Sequence, residues 1–282
     1  MIIEALSLFT AFCFGLSAVL IRRGIRDSTP MTGAIVGAGV QMVILAVILG
    51  RGSFAFDWAA IAFFAASGIL SSTLGRITNY LSIQRLGVAV SASIIGSSPL
   101  FTALFAILFL GDDVSLPVML GAILIVGGVV ITSFTGGGGR LGGMALLIPV
   151  VSAVFYGASS PTLKAGLRVL PEPILGAVVG SAASFLSYLL YLTASRELGQ
   201  VKITRGCLPY FVGSGVVVSA AWVAMYTAMD LGSVSVVSVI VGANPLFSLL
   251  LSWLLLRNEK IGARTVAGCL AIVAGVAVVT LF

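Results

Sequence analysis

Histidine is missing from all 282 residues, and acidic and basic side chains together make up only 9% of them. Without imidazole there is no histidine proton relay. Soluble domains carry about 25% charged residues. So few charges cannot coat a water-facing surface, so most of this surface faces lipid. Cysteine is scarce too: Cys13, Cys207 and Cys269 have no metal or redox spacing and lie in or beside apolar runs, where they read as small apolar side chains. No glycine-rich motif ending in Lys and Ser/Thr is present to cradle phosphate, which excludes an ATP-driven pump within this chain. No acidic residue falls at the middle of an apolar run, which disfavours antiport through a deep carboxylate. Paired carboxylates, metal-ligand clusters and nucleophile–base arrangements are equally missing, so the reading is a non-enzyme with no cofactor and no metal.

What is present is apolar. Hydrophobic residues make up 59% of the chain, and there are 34 glycines, a residue more frequent in membrane helices than in soluble ones. A span needs about 20 apolar residues. Ten such runs are read: 3–21, 31–50, 58–83, 87–110, 116–135, 143–163, 173–194, 208–229, 233–256 and 264–282. Turn and charge signals separate them, among them Asp27-Ser28-Thr29-Pro30, Gly111-Asp112-Asp113 and Arg257-Asn258-Glu259-Lys260. The net charge of +6 lies between the runs and serves orientation at a membrane rather than nucleic-acid binding. The N-terminus, with Glu4 and no basic leader, reads as a first span and not as a cleaved signal.

The two halves resemble each other. Phe14-Gly15-x-Ser17 recurs as Tyr156-Gly157-x-Ser159, and Arg22, Gly24 and Arg26 recur as Lys164, Gly166 and Arg168. Pro30, Gly33 and Gly37 recur as Pro173, Gly176 and Gly180, and Pro99-Leu100-Phe101 recurs as Pro245-Leu246-Phe247. Gly121 and Gly128 recur as Gly268 and Gly275. The division is therefore a first repeat at 1–135, a flexible glycine linker at 136–142 and a second repeat at 143–282. Five spans per half is an odd number, so the second half enters the membrane from the opposite side. That is an inverted repeat, an arrangement of many secondary transporters.

Charge sets the expected orientation. The loops after odd-numbered spans hold Arg22, Arg23, Arg26, Arg85, Arg140, Arg196, Lys202, Arg205, Arg257, Lys260 and Arg264; those after even-numbered spans hold Arg51, Lys164 and Arg168. Basic loops stay cytoplasmic, which places both termini outside.

Certain polar residues within spans are candidates for function. Pro99 and Pro245 fall mid-span, where each removes an N–H and loosens the carbonyl four residues earlier, at Ile95 and Val241. Small polar neighbours precede them, Ser97 and Ser98 in one half and Asn244 in the other. The functional reading is a pair of bent helices lining a solute path; the plain alternative is two packing kinks. Arg76, Asn79 and Tyr80 share a helix face late in span 3, and an inward Arg76 could hold a carboxylate through its planar fork, the alternative being a side chain that snorkels to the interface. Trp222 and Tyr226 occupy the matching place in span 8, as cavity walls or as packing. Gln41 and Tyr156 are further polar candidates.

With these residues set out, the chain resembles the drug/metabolite transporter superfamily, in its EamA-type branch, over nearly its whole length. The resemblance rests on Leu86-Gly87 to Pro99, Gly111-Asp112-Asp113, Gly121 and Gly128, and on Leu231-Gly232 to Pro245, Asn258-Glu259, Gly268 and Gly275. It implies an all-helical membrane fold of two inverted five-helix repeats. It also implies a central cavity lined mainly by spans 1, 3, 4, 6, 8 and 9, and export of amino acids or related metabolites. Two features depart from the family pattern: Asp112-Asp113 stands where glutamate is usual, and the charge bias opposes the cytoplasmic termini common among relatives.

The expectation is a secondary transporter in a bacterial inner membrane, a monomer or homodimer, whose partners are a small-molecule substrate and the lipid bilayer. It would bind its solute through Arg76, Asn79, Tyr80, Ser97, Ser98, Trp222, Tyr226 and Asn244, beside Pro99 and Pro245. The competing readings are an intramembrane enzyme acting on a lipid, which would need clustered ionisable groups, and a membrane scaffold without flux.

Overall fold

A computed structural model describes residues 1–50, 54–86, 91, 94–113, 115–133, 146–195, 199, 201–256 and 263–281, with the backbone alone at Tyr80, Ile83, Gln84, Thr132, Ser133, Ser195, Leu255, Leu256 and Thr265. The glycine run at 136–139, Arg140 and the loop residues Arg51, Gly87, Arg196, Arg257 and Lys260 lie outside the described residues.

The described elements are helical throughout. They are α1 (Ile2–Gly24), α2 (Pro30–Leu49), α3 (Trp58–Gly68), a π-helical stretch (Ile69–Gly75), α4 (Arg76–Leu86), α5 (Ser98–Phe105) and a second π-helical stretch (Ala106–Leu110). There follow α6 (Leu116–Ser133), α7 (Leu147–Val169), α8 (Pro173–Ser195), α9 (Leu208–Leu231), α10 (Val234–Val241), α11 (Asn244–Leu256) and α12 (Ala263–Leu281). Among the described residues, six segments are long and apolar enough to cross a membrane: Ile2–Gly24, Pro30–Leu49, Trp58–Asn79, Pro173–Ala194, Leu208–Leu231 and Val234–Leu254. Ser98–Leu110, Leu116–Ile131 and Val266–Leu281 are shorter apolar helices.

Local chemistry starts several helices. The Thr29 hydroxyl accepts the Thr32 N–H at 3.2 Å with Pro30 in the first turn of α2, and an Asp57 oxygen accepts the Ala60 N–H at 2.9 Å at the start of α3. The lateral pattern is the reverse of a soluble bundle. Small and polar side chains such as Ser7, Thr10, Thr32 and Ser152 are buried, while Phe9, Trp58, Leu108 and Leu190 face outward. Small inward residues let helix backbones approach closely, and large apolar ones meet lipid.

The two halves pack as mates about an approximate two-fold relation. α1 lies along α9 and α11, and α7 lies along α3, α4 and α5 in the same manner. A Cβ built on Gly15 would fall 2.7 Å from Phe247, and one on its counterpart Gly157 would fall 2.5 Å from Phe101. Gly24 and Gly33 press on the Phe211 ring as Gly166 and Gly176 press on that of Phe64. The Ser17 and Ser214 hydroxyls bond at 2.8 Å, and Ser67, the counterpart of Ser214, donates to the carbonyl of Ser159, the counterpart of Ser17, at the same distance.

Three local features differ from the expected elements. Span 3 is not a uniform α-helix, because its turns widen into the π form over Ile69–Gly75. Carbonyls of this stretch are taken by neighbours: the Tyr188 hydroxyl donates to Ser72, and the Ser152 hydroxyl to Gly75 at 2.7 Å. The run length predicts that the sixth span ends at residue 163, before Lys164, but α7 continues to Val169. Lys164 need not leave the protein, because its ammonium donates to the carbonyls of Met229, Asp230 and Gly232 at 2.5, 3.1 and 3.1 Å. Finally, Pro245 does not bend a continuous helix. α10 ends at Val241, a turn follows at Gly242 and Ala243, and α11 starts at Asn244 with Pro245 in its first turn. Pro99 likewise lies in the first turn of α5. A first-turn proline sacrifices no hydrogen bond, so both spans are interrupted where a lone internal proline would only have kinked them.

Candidate functional site

The two interrupted helices meet. A Cβ built on Gly242 would lie 3.1 Å from the Pro99 ring, so the turn before α11 rests on the start of α5. Beside this contact is a cavity of about 110 Å³ among α5, α7, α9, α10 and α11. Ser98, Pro99 and Thr102 line it from one half; Tyr156, Ser160, Ser238 and Asn244 line it from the other, and Met225, Met229 and Val241 supply apolar wall.

Its polar groups differ in how far they are committed. The Asn244 amide donates to the Val241 carbonyl at 3.1 Å, bridging the interrupted segment, and keeps a second N–H and its oxygen. The Thr102 hydroxyl donates back to Ser98 at 3.2 Å. The Ser238 hydroxyl is buried without a partner among the described residues, although it borders the cavity. An unsatisfied hydroxyl at membrane depth is costly, and a bound polar group or water would relieve it.

A second, smaller cavity of about 40 Å³ lies among α1, α2, α8, α9 and the join of the first π stretch to α4. Arg76 and Gln41 line it, with Ser17, Ser72, Ser184 and Ser214. Among the described residues, the two cavities share no lining side chain.

Of the residues singled out in the sequence, Ser98, Asn244 and Pro99 border the larger cavity, and Tyr156 joins them. Arg76 and Gln41 come together at the smaller one. Ser97 turns back to donate to the Ile94 carbonyl at 2.6 Å. Asn79 and Pro245, both half-buried, line neither cavity, and the side chain of Tyr80 lies outside the described atoms. Trp222 and Tyr226, expected as cavity walls, line neither of these two cavities. Their rings stack at 5.4 Å, 6% and 1% exposed, against the open face of Gly180. The bare glycine backbone makes room for both rings, so they pack α9 on α8. On the same helix, Met225 and Met229 line the larger cavity.

Ser160 and Ser238 escaped the sequence reading. Ser160 is four residues beyond Tyr156 and so shares its helix face, a signal that was available. Ser238 is one of several serines in an apolar run, and nothing local distinguishes it.

At one end of the molecule α7 ties neighbouring helices together. Lys164 holds the end of α9 through its three carbonyls, and Arg168 donates to the Leu110 carbonyl at 2.7 Å and pairs with Asp112 at 2.9 Å. Lys164 and Arg168 thus tie together the ends of α5's π extension, α7 and α9.

Comparison with known proteins agrees with this architecture. No functionally curated protein matches the chain. A solved crystal structure of a protein superposes with a TM-score of 0.81 at 20% identity, over 99% of this chain and 96% of that one, which shows a shared fold. The model of the EamA-like transporter family matches twice, at residues 1–134 and 143–281, which together span almost the whole sequence. Two copies of that repeat, many apolar helices and a polar cavity at their junction lead to one assignment: the chain belongs to the EamA-like transporter family and is a multi-pass membrane protein of a solute-transporting class.

Proposed function

We propose that this chain exports small organic solutes bearing a carboxylate, amino acids among them, by alternating access between two inverted five-helix repeats across ten membrane crossings. The observation that carries the reading is the meeting of two interrupted helices at the larger cavity, with Pro99 against Gly242 and an unpartnered Ser238 beside them. The starts of α5 and α11 point backbone N–H groups and the positive end of a helix dipole toward this region, which favours a carboxylate. The end of α10 offers carbonyl oxygens suited to an ammonium. Tyr156, Met225 and Met229 would contact an apolar side chain, and Asn244, Ser98 and Ser238 would fix the polar head. The basic loops are placed in the cytoplasm of a bacterial cell with both termini outside, so the end closed by Lys164 and Arg168 faces outward.

Flux is the test. Purified protein in liposomes loaded with a labelled amino-acid mixture should release label faster than empty liposomes. Asn244→Leu and Ser98→Leu, each removing a polar contact, should slow release by about tenfold with the fold intact. Release unaffected by either substitution would remove this cavity from the solute path.

A further inference from the structure

Basic side chains of both repeats gather where α1 ends and α9 begins. Arg22 and Arg23 lie in the last turn of α1 and Arg26 just beyond it, while Lys202 and Arg205 precede α9. The two segments are far apart in sequence, yet they are joined. The Ser28 hydroxyl donates to the Lys202 carbonyl at 2.5 Å, the Lys202 N–H donates to the Thr32 hydroxyl at 2.9 Å, and the Thr204 hydroxyl donates to the Asp27 carbonyl at 3.3 Å. The bare backbone of Gly24 rests on the Phe211 ring, which fixes the end of α1 against the start of α9.

Little of this charge is spent. Arg22 interacts within the protein, which leaves four cations, all exposed, and none of the four makes an ion pair among the described residues. Arg23 lies over the Tyr210 ring at 5.7 Å, which holds its guanidinium at the join. Asp27 is the one carboxylate in the sequence over 22–32 and 201–210, so the local balance is strongly positive. The equivalent place in the other repeat differs. There Lys164 and Arg168, the counterparts of Arg22 and Arg26, are taken up by carbonyls and by Asp112. Repeat symmetry therefore does not account for the unpaired cations. Apolar side chains stand among them, with Ile203 62% and Leu208 41% exposed. The apolar spans Ile2–Gly24 and Leu208–Leu231 both end here, which puts the cluster at the level where lipid headgroups meet water.

We propose that this cluster binds the headgroup of an anionic phospholipid, which thereby clasps the two repeats together at this end. Guanidinium forks match pairs of phosphate oxygens, and the Lys202 ammonium adds a point charge. Ile203 and Leu208 would meet the acyl chains. Basic pockets between membrane helices bind such headgroups. A loose basic loop would only raise the local concentration of anionic lipid; here hydrogen bonds hold cations from two repeats on one seam, and a single phosphate can reach both. The site needs α1 and α9 to span a bilayer and requires nothing of the solute cavity.

The experiment is native mass spectrometry of the purified full chain in detergent, titrated with phosphatidylglycerol or with phosphatidylcholine of the same acyl chains. The wild type should bind phosphatidylglycerol with an apparent Kd about tenfold lower or better, a comparison that needs no variant to fold. Arg26→Gln and Lys202→Gln should each weaken that binding about fivefold, the effect of one charge at a membrane surface, and leave phosphatidylcholine unchanged. The bonds that join the segments at Lys202 run through its backbone and survive the substitution. Arg26→Lys and Lys202→Arg should restore the preference, which separates charge from folding. Arg264→Gln is the control: it removes an exposed cation from α12, which packs on α6, and should change nothing. Equal affinity for the two lipids, or a preference that survives in the Arg26→Gln/Lys202→Gln double variant or falls as far in Arg264→Gln, would overturn the proposal. So would competition by soluble glycerol phosphate as strong as that of the lipid, which would assign the cluster to a free phosphate.

Discussion

The backbones of Gly121 and Gly275 touch: a Cβ built on Gly121 falls 2.8 Å from the Gly275 carbonyl oxygen, and one built on Gly275 falls 2.7 Å from that of Gly121. The contact reads the same in both directions and joins α6 to α12, the last helix of each repeat. Gly128 and Gly268 meet one turn-pair further along, again at a carbonyl. Small residues at such spacing drive close association of helices in lipid, where no hydrophobic effect assists.

Gly121→Val or Gly275→Val forces the two backbones apart. The cost of such overpacking is about 1–3 kcal/mol, read as a lower Tm of the purified protein. Gly127→Ala, in the same helix but with open space within 4 Å of where its Cβ would stand, is the control. It should leave Tm unchanged or raise it, since alanine is favoured over glycine in a helix by about 0.5–1 kcal/mol. Equal losses at Gly121 and Gly127 would deny the specific contact.

The grip of Lys164 on α9 should bias the conformational equilibrium. Lys164→Met keeps most of the length of the side chain and leaves the carbonyls of Met229, Asp230 and Gly232 without their charged donor. Hydrogen bonds from a charged group contribute about 1.5–3 kcal/mol, enough to populate an open form. Spin labels at Phe109 and Leu231, both outward-facing, should report a broader and longer distance distribution at that end. Arg168→Gln should act more weakly, because that arginine is 47% exposed and such pairs contribute under about 1 kcal/mol. Distances unchanged in Lys164→Met would make the contact ornamental to gating.

Much of this was legible in the sequence. Helix positions followed from run length, because lipid demands an unbroken apolar run: α1, α2, α8 and α9 begin and end within a few residues of the expected spans. The internal repeat was visible because packing needs glycine at the same places in each half. The site was legible in part. Pro99, Ser98 and Asn244 announced an interruption, since proline and small polar residues are out of place in mid-membrane. The exceptions depend on distant partners. The widening at Ile69–Gly75 relies on Tyr188 and Ser152, and the inward course of Lys164 relies on carbonyls more than sixty residues away. The spacing of Trp222 and Tyr226 states which face they share and not that this face meets the bare backbone of Gly180.

Alternating access itself is tested most directly by thiol labelling from each side of the membrane. A chain with Cys13, Cys207 and Cys269 replaced by alanine and a single Ser98→Cys would be placed in sealed vesicles, with an impermeant thiol reagent added outside or trapped inside. The account predicts labelling at Cys-substituted position 98 from both compartments, slowed in each case by transported solute. Reaction from one side alone, or from neither, would contradict it.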